Sequence, residues 1–331
     1  MGLRVVFMGT PEFAAASLDA ILASTHAVVA VVSQPDRPKG RGQAMQPPPV
    51  ALRATERGIP LLQPASCKDA AFRDWVAAFA PDVTVVAAFG HILGPKALGI
   101  PRLGCINVHA SLLPRWRGAS PITAAVAAGD RESGIAIMQM DVGMDTGPVF
   151  CTQTIPIAAD YTGESLHDKL AALGGPLVVS VLDALAAGTA RTTPQPSEGV
   201  THAAKLGKHD ADLDWSKPAA VLERQIRALH PWPGTRTWLA AEAGAAARTV
   251  RVLPTARVVA APEAPEAGAG APGTILRVAS DGIIVRCGDG QALALETLQL
   301  EGRKPLPVAQ LLQGFTLTPG MRFTSQPSGA A

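Results

Sequence analysis

The sequence predicts an α/β chain in two parts: a Rossmann-like, mostly parallel sheet with flanking helices, then a small β-barrel. Three features carry that prediction. Apolar runs rich in Val and Ile alternate with helix-length amphipathic segments through residue 190, the pattern of successive βαβ units. After Gly234 the helical spacing gives way to short apolar runs between turn residues, as in small barrels. Between the two, Pro194, Pro196 and Gly199 fall in a stretch without periodicity that reads as a connector. The expected boundaries are a first domain over 1–190, a linker over 191–208 and a second domain over 209–331.

Composition narrows the function. A chain of 331 residues with 47% hydrophobic residues has ample material for two cores. A net charge of +2 excludes the strong single-sign field of a protein that binds nucleic acid by charge alone. Cys67, Cys105, Cys151 and Cys287 form no CxxC pair and no Cys/His cluster, so neither a metal site nor a disulfide framework is expected. The opening MGLRVVFMGTPEF lacks a charged region ahead of a long apolar run. No segment reaches ~18 uninterrupted apolar residues. A cytoplasmic, monomeric protein without membrane attachment is the expectation.

In chain order, Arg4–Met8 is a β-branched strand closed by Gly9-Thr10-Pro11, and Pro11 suits the first turn of a helix over Glu12–Ser24. His26–Ser33 is apolar throughout, as a strand covered on both faces is. The turn between them lacks GxGxxG, so no dinucleotide site is expected. Gln34–Pro49 reads QPDRPKGRGQAMQPPP, and its prolines and glycines exclude a helix or a central strand. There Arg37, Lys39 and Arg41 outnumber one acid, Asp36. Such a loop is either a solvated surface turn or a basic finger for phosphates. Helices over Val50–Arg57 and Lys68–Phe79 alternate with strands over Pro60–Gln63 and Asp82–Ala88. Phe89-Gly90-His91-Ile92-Leu93 then lies just past the carboxyl end of a parallel strand, where open sheets gather ligands.

The stretch from Cys105 to Pro121 organises the rest. Asn107 and His109 sit two residues apart on a short apolar strand, so both side chains project from one face. An amide beside an imidazole offers a donor for a developing oxyanion and a proton acceptor for an attacking atom. The bland alternative is a buried polar pair satisfied by neighbouring backbone. A helix over Ala119–Ala128 and a strand over Ile135–Met140 lead to MDVGMDTGPVF, a glycine-rich loop with Asp141 and Asp145. Either carboxylate could orient His109, and spacing alone does not choose between them.

A strand over Phe150–Ile157 and a helix over Ser165–Ala187 complete the first domain. Beyond the connector, Trp215–His230 reads as an amphipathic helix stopped by Pro231-Trp232-Pro233-Gly234. Barrel strands are expected over Thr249–Leu253, Gly273–Ala279, Gly282–Cys287 and Ala292–Leu298, with a brief helix at Val308–Gln313. Val259–Gly273 is low in complexity and reads as a hairpin insertion.

INVHASLLPRWRGASPI taken with MQMDVGMDTGPV strongly resembles the folate-dependent formyltransferases. Their N-x-H signature, followed by S-L-L-P at Ser111–Pro114, falls on Asn107 and His109, and their D-x-G-x-D-T-G signature falls on Asp145. The resemblance makes these three the catalytic set. FMGTPEFA, QPDRPKGRG and DWSKPAAVLERQIRALHPWPGTRTW resemble the branch that formylates initiator methionyl-tRNA. The likeness runs through most of residues 3–240 and fades in the barrel. It implies 10-formyltetrahydrofolate as formyl donor and initiator methionyl-tRNA as acceptor, with an OB-like C-terminal barrel for tRNA. It also implies a folate pocket lined by Phe89, Gly90, Ile92, Ser111, Leu112, Leu113, Pro114, Asp141 and Val142, and phosphate contacts from Arg37, Lys39 and Arg41. The rivals are formylation of amino sugars or glycinamide ribonucleotide, hydrolysis of formyl-folate, and an inactive RNA-binding scaffold.

Overall fold

The computed structural model describes residues 2–39, 44–239, 247–262 and 270–326. It divides into two compact units. The first holds Met1–Ile122, Arg131–Ile157 and Leu166–Ala204; the second holds Thr123–Asp130, Ala158–Ser165 and Lys205–Ala331. The division departs from the expected linear boundaries in two ways. Residues 191–204, read as linker, fold with the first unit, and two short segments of the first half belong to the second.

The first unit is built on a seven-stranded sheet. Its spatial order is Val149–Pro156, Glu132–Gln139, Cys105–His109, Val83–Ala87, Arg4–Gly9, Ala27–Val32 and Leu61–Leu62. The last five run parallel, and Glu132–Gln139 pairs antiparallel with both of its neighbours. Glu12–Leu22 starts after Pro11 as expected, and Ala70–Ala78 packs Phe72 and Val76 with Val6, Met8, Val32 and Val86.

The long helix Gly163–Ala186 has 24 residues and contains an 18-residue window of mean hydropathy 1.6, long and apolar enough to cross a membrane by length and composition alone. Here it buries Leu166, Leu170, Val178 and Leu182 against its own unit. Gly174 and Gly175 let it approach closely. A Cβ at Gly175 would stand 2.7 Å from Ala20 Cβ, and one at Gly174 would stand 3.0 Å from Val108 Cγ1. Val108 therefore points to the helix. With a side-chain period of two, Asn107 and His109 point to the opposite face. That face is the one Val86 shares, because Val86 is the in-register neighbour of Asn107. Two loops meet the polar pair there, Asp145 reaching both residues and the Trp116 carbonyl reaching His109.

The basic loop forms a short antiparallel pair, Arg37–Lys39 with Ala44–Gln46, separate from the main sheet. Arg41 lies outside the described residues, as do residues 263–269 of the Val259–Gly273 insertion.

The second unit is rich in antiparallel strands, in a five-stranded and a four-stranded sheet around one core. Trp215, expected to open a helix, is instead a core residue whose Nε1–H donates to Thr237 Oγ1 at 2.9 Å. Its ring stacks with Phe323 at 5.8 Å. Pro218 explains the shift: the residue before a proline resists helical geometry, and the helix runs only from Ala219 to Ala228. Arg224 Nε donates to Ala127 O at 3.1 Å and Arg227 Nη1 to Tyr161 O at 2.6 Å, which fastens the two early segments to this unit.

Candidate active site

Asn107, His109 and Asp145 converge. Asn107 Nδ2 donates to Asp145 Oδ1 at 3.3 Å, and His109 Nδ1 stands 3.8 Å from Asp145 Oδ2. Asp145, rather than Asp141, is the carboxylate that meets the strand. Asp141 Oδ1 instead accepts from Gly143 N at 3.0 Å and Thr146 Oγ1 at 2.6 Å, which shapes the same loop from within. Gly118 N–H donates to Asp145 Oδ2 at 2.8 Å, so each carboxylate oxygen has one donor.

The tautomer of His109 follows from its other partner. Nε2 lies 3.0 Å from the carbonyl oxygen of Trp116, which can only accept. Nε2 therefore carries the hydrogen, and the neutral ring keeps its lone pair on Nδ1, the nitrogen nearer Asp145. Two acceptors face each other at 3.8 Å, beyond hydrogen-bond distance. A proton gained by Nδ1 converts that pair into an ion pair inside a site where the ring is only 5% exposed.

The surrounding backbone is held in sparsely populated conformations. Ala88 at φ +42°, Trp116 at +61° and Asp145 at +53° lie in three loops around this face. Gly118, at φ +117°, marks the tightest point: a Cβ there would stand 2.5 Å from Ala203 O. Arg117–Gly118 pairs in parallel with His202–Ala203, so no side chain fits between them. Gly118→Ala is expected to destabilise the protein by about 1–3 kcal/mol or more. It should also lower activity by moving the amide that holds Asp145, which urea unfolding and a rate measurement would register together.

Cys105 opens the strand that carries Asn107 and His109, but burial pushes its thiol up to about 12, so it stays protonated and is no nucleophile at neutral pH.

The other expected residues fall around this centre. Phe89 is buried, and its carbonyl accepts from Thr10 Oγ1 at 3.0 Å and Gln34 Nε2 at 3.3 Å. Gly90 and Ile92 are exposed on the same turn. His91 packs edge-on against Phe89 at 5.2 Å, and its Nε2 is buried with no hydrogen-bond partner among the described residues. Ser111 Oγ donates to Arg115 O at 2.6 Å, while Leu112, Leu113 and Pro114 are half-buried. Leu112 Cδ2 lies over Gly134 of the neighbouring strand. Asp141 and Val142 are exposed. Arg37 is exposed and donates to Gln34 Oε1 at 3.0 Å, and Lys39 ends its short strand.

Three contributors were not anticipated. Gln195 Nε2 donates to the carbonyls of Asp145 and Gly147, both at 2.8 Å. Thr201 Oγ1 accepts from Trp116 N at 2.9 Å. The third is the Trp116 carbonyl on His109. The only sequence signal for any of them is the presence of polar side chains among prolines.

An amide donor, an imidazole with a directed lone pair and a carboxylate meet on one face of an open α/β sheet, the groups that acyl transfer by a general base and an oxyanion donor requires. Two family models match the chain: formyl transferase over residues 3–182, and the formyl transferase C-terminal domain over residues 205–316. A methionyl-tRNA formyltransferase of Chromohalobacter salexigens is 51% identical over 97% of this chain and 97% of its own length. That of Ectopseudomonas mendocina is 52% identical over 93% of this chain and 94% of its own. The chain belongs to the methionyl-tRNA formyltransferase family. Among solved structures, the sugar 3N-formyl transferase WlaRD, in the presence of dTDP and 5-N-formyl-THF, shares the fold. Its TM-score is 0.63 at 14% identity, over 92% of this chain and 100% of that one.

Proposed function

We propose that this chain transfers the formyl group of 10-formyltetrahydrofolate to the α-amino group of initiator methionyl-tRNA. The observation that carries this reading is identity of about one half, across nearly the full length, with relatives named for methionyl-tRNA. The site supports it residue by residue. An α-amine with a pKa near ~7.7 is partly neutral at pH 7 and can attack the formyl carbon. The new C–N bond leaves that nitrogen cationic, and His109 Nδ1 takes its proton. Asp145 stabilises the resulting imidazolium from 3.8 Å. The Asn107 N–H that does not bond Asp145 meets the formyl oxygen as it gains charge. The imidazolium then returns the proton to folate N10 as its bond to the formyl carbon breaks.

The residues present fit a folate. Ile92 is 80% exposed and Val142 77% exposed, on two loops beside the catalytic strand, and a flat pterin ring would cover such apolar surface. We assign to this pocket Gly90, Leu112, Leu113, Pro114 and Asp141, with Phe89 and Ser111 acting through backbone. Arg37, Lys39 and Arg41 are assigned to RNA phosphates.

The test is a parallel assay of labelled 10-formyltetrahydrofolate with methionyl-tRNA and with an amino-sugar nucleotide. Label is expected in methionyl-tRNA. Label in the sugar alone would overturn the acceptor, and tight RNA binding without transfer would overturn the activity.

A further inference from the structure

We infer that Gln195 is a positioning residue for formyl transfer, holding the Asp145 loop and the Trp116–Gly118 loop in one hydrogen-bonded unit. The inference rests on the reaction proposed above. Gln195 lies on a strap whose neighbours from Arg191 to Glu198 are exposed, yet its own side chain turns inward and is half-buried. The amide head is fully engaged. Both hydrogens of Nε2 go to carbonyls on the catalytic loop, Asp145 O and Gly147 O, at 2.8 Å each. Oε1 accepts from Arg117 Nε at 3.1 Å and Nη2 at 2.8 Å.

Those partners are the two halves of the catalytic support. Asp145 supplies the carboxylate, and the carbonyls that Gln195 holds lie on either side of Thr146. Arg117 sits between the two backbone groups that fix the other half. The peptide joining Trp116 to Arg117 points its carbonyl at His109 Nε2 and its N–H at Thr201 O, 3.0 and 2.9 Å away. The next N–H, of Gly118, holds Asp145 Oδ2. His109 and Asp145 come from segments far apart in sequence, and Gln195 is a side chain that bonds both loops. It touches neither the imidazole nor the carboxylate, so its effect passes through their placement.

The chemistry demands an amide of this length. Two donors and one acceptor on a single planar head suit two carbonyls and a guanidinium. A glutamate of the same shape keeps the arginine but loses both donors and sets negative charge against two carbonyl oxygens.

The test uses the full chain in the methionyl-tRNA assay. Gln195→Glu is expected to lower kcat on the order of ten- to a hundredfold, with KM for both substrates and the unfolding midpoint little changed. In an Asp145→Asn background the same change should add little, because the group it positions is already disabled. Gln195→Met removes the polar head without adding charge and allows the same comparison if the glutamate variant folds poorly. Equal losses in both backgrounds, or a full parental kcat in either variant, would overturn the role. A parent enzyme that transfers no formyl group would instead overturn the proposed reaction.

Discussion

His109→Gln is expected to lower kcat for formyl transfer by about 10²–10⁴. Glutamine is chosen because its amide N–H can reach the place of Nε2–H and keep the bond to the Trp116 carbonyl, which lies 3.0 Å from the imidazole. The ring is almost fully buried, so a substitution that stranded that carbonyl would confound a catalytic loss with a folding defect. The amide nitrogen has no basic lone pair and cannot take a proton from the attacking amine. Binding of either substrate should change little, so the loss belongs in kcat rather than KM. An unfolding midpoint close to the parent, with the rate lost, would assign the base to His109. A rate near the parent's would assign the proton to another group.

Much of this centre is legible in the sequence, and the boundary of legibility has a physical basis. The N-x-H spacing on an apolar strand placed Asn107 and His109 on one face, because strand periodicity is local geometry. The structure adds Gly174 packed on Val108 from behind, which fixes which face is covered. Asp145 could not be separated from Asp141 by spacing, since a glycine-rich loop has no period. The resemblance chose Asp145, and the structure gives Asp141 a separate task within the loop. The strap carrying Gln195 and Thr201 reads as linker because the residues its polar side chains bond, Arg117 and Trp116, lie 78 and 85 positions away, and no local periodicity marks so distant a contact. Backbone pairing between Arg117–Gly118 and His202–Ala203 leaves no composition signal and joins residues 85 apart. Trp215 went astray for the opposite reason: its apolar side chain matched a helical stripe, while Pro218 set the true start.

Asp145→Asn is expected to lower kcat by about 10⁴, the loss seen when the carboxylate partner of a general-base imidazole is neutralised. The backbone should tolerate it, because Asn accepts the left-handed conformation that residue 145 adopts at φ +53°. The side chain cannot satisfy its surroundings. Asp145 offers two acceptor oxygens to two donors, Asn107 Nδ2 and Gly118 N. An asparagine offers one oxygen and one NH2. If its oxygen keeps the shorter bond to Gly118 at 2.8 Å, its NH2 meets the NH2 of Asn107, donor against donor. Relief comes when Asn107 flips, and the flip turns an amide oxygen toward the position its oxyanion donor had occupied. The same substitution also removes the charge that would stabilise a protonated His109. Neutralising one carboxylate thereby disables both partners, which places the expected loss above that for removing one oxyanion donor, about 10²–10³. Single-turnover rates with saturating methionyl-tRNA test this directly. A loss no larger than that of Asn107→Ala would mean that Asp145 acts only by orienting the amide, with no part in stabilising the protonated ring.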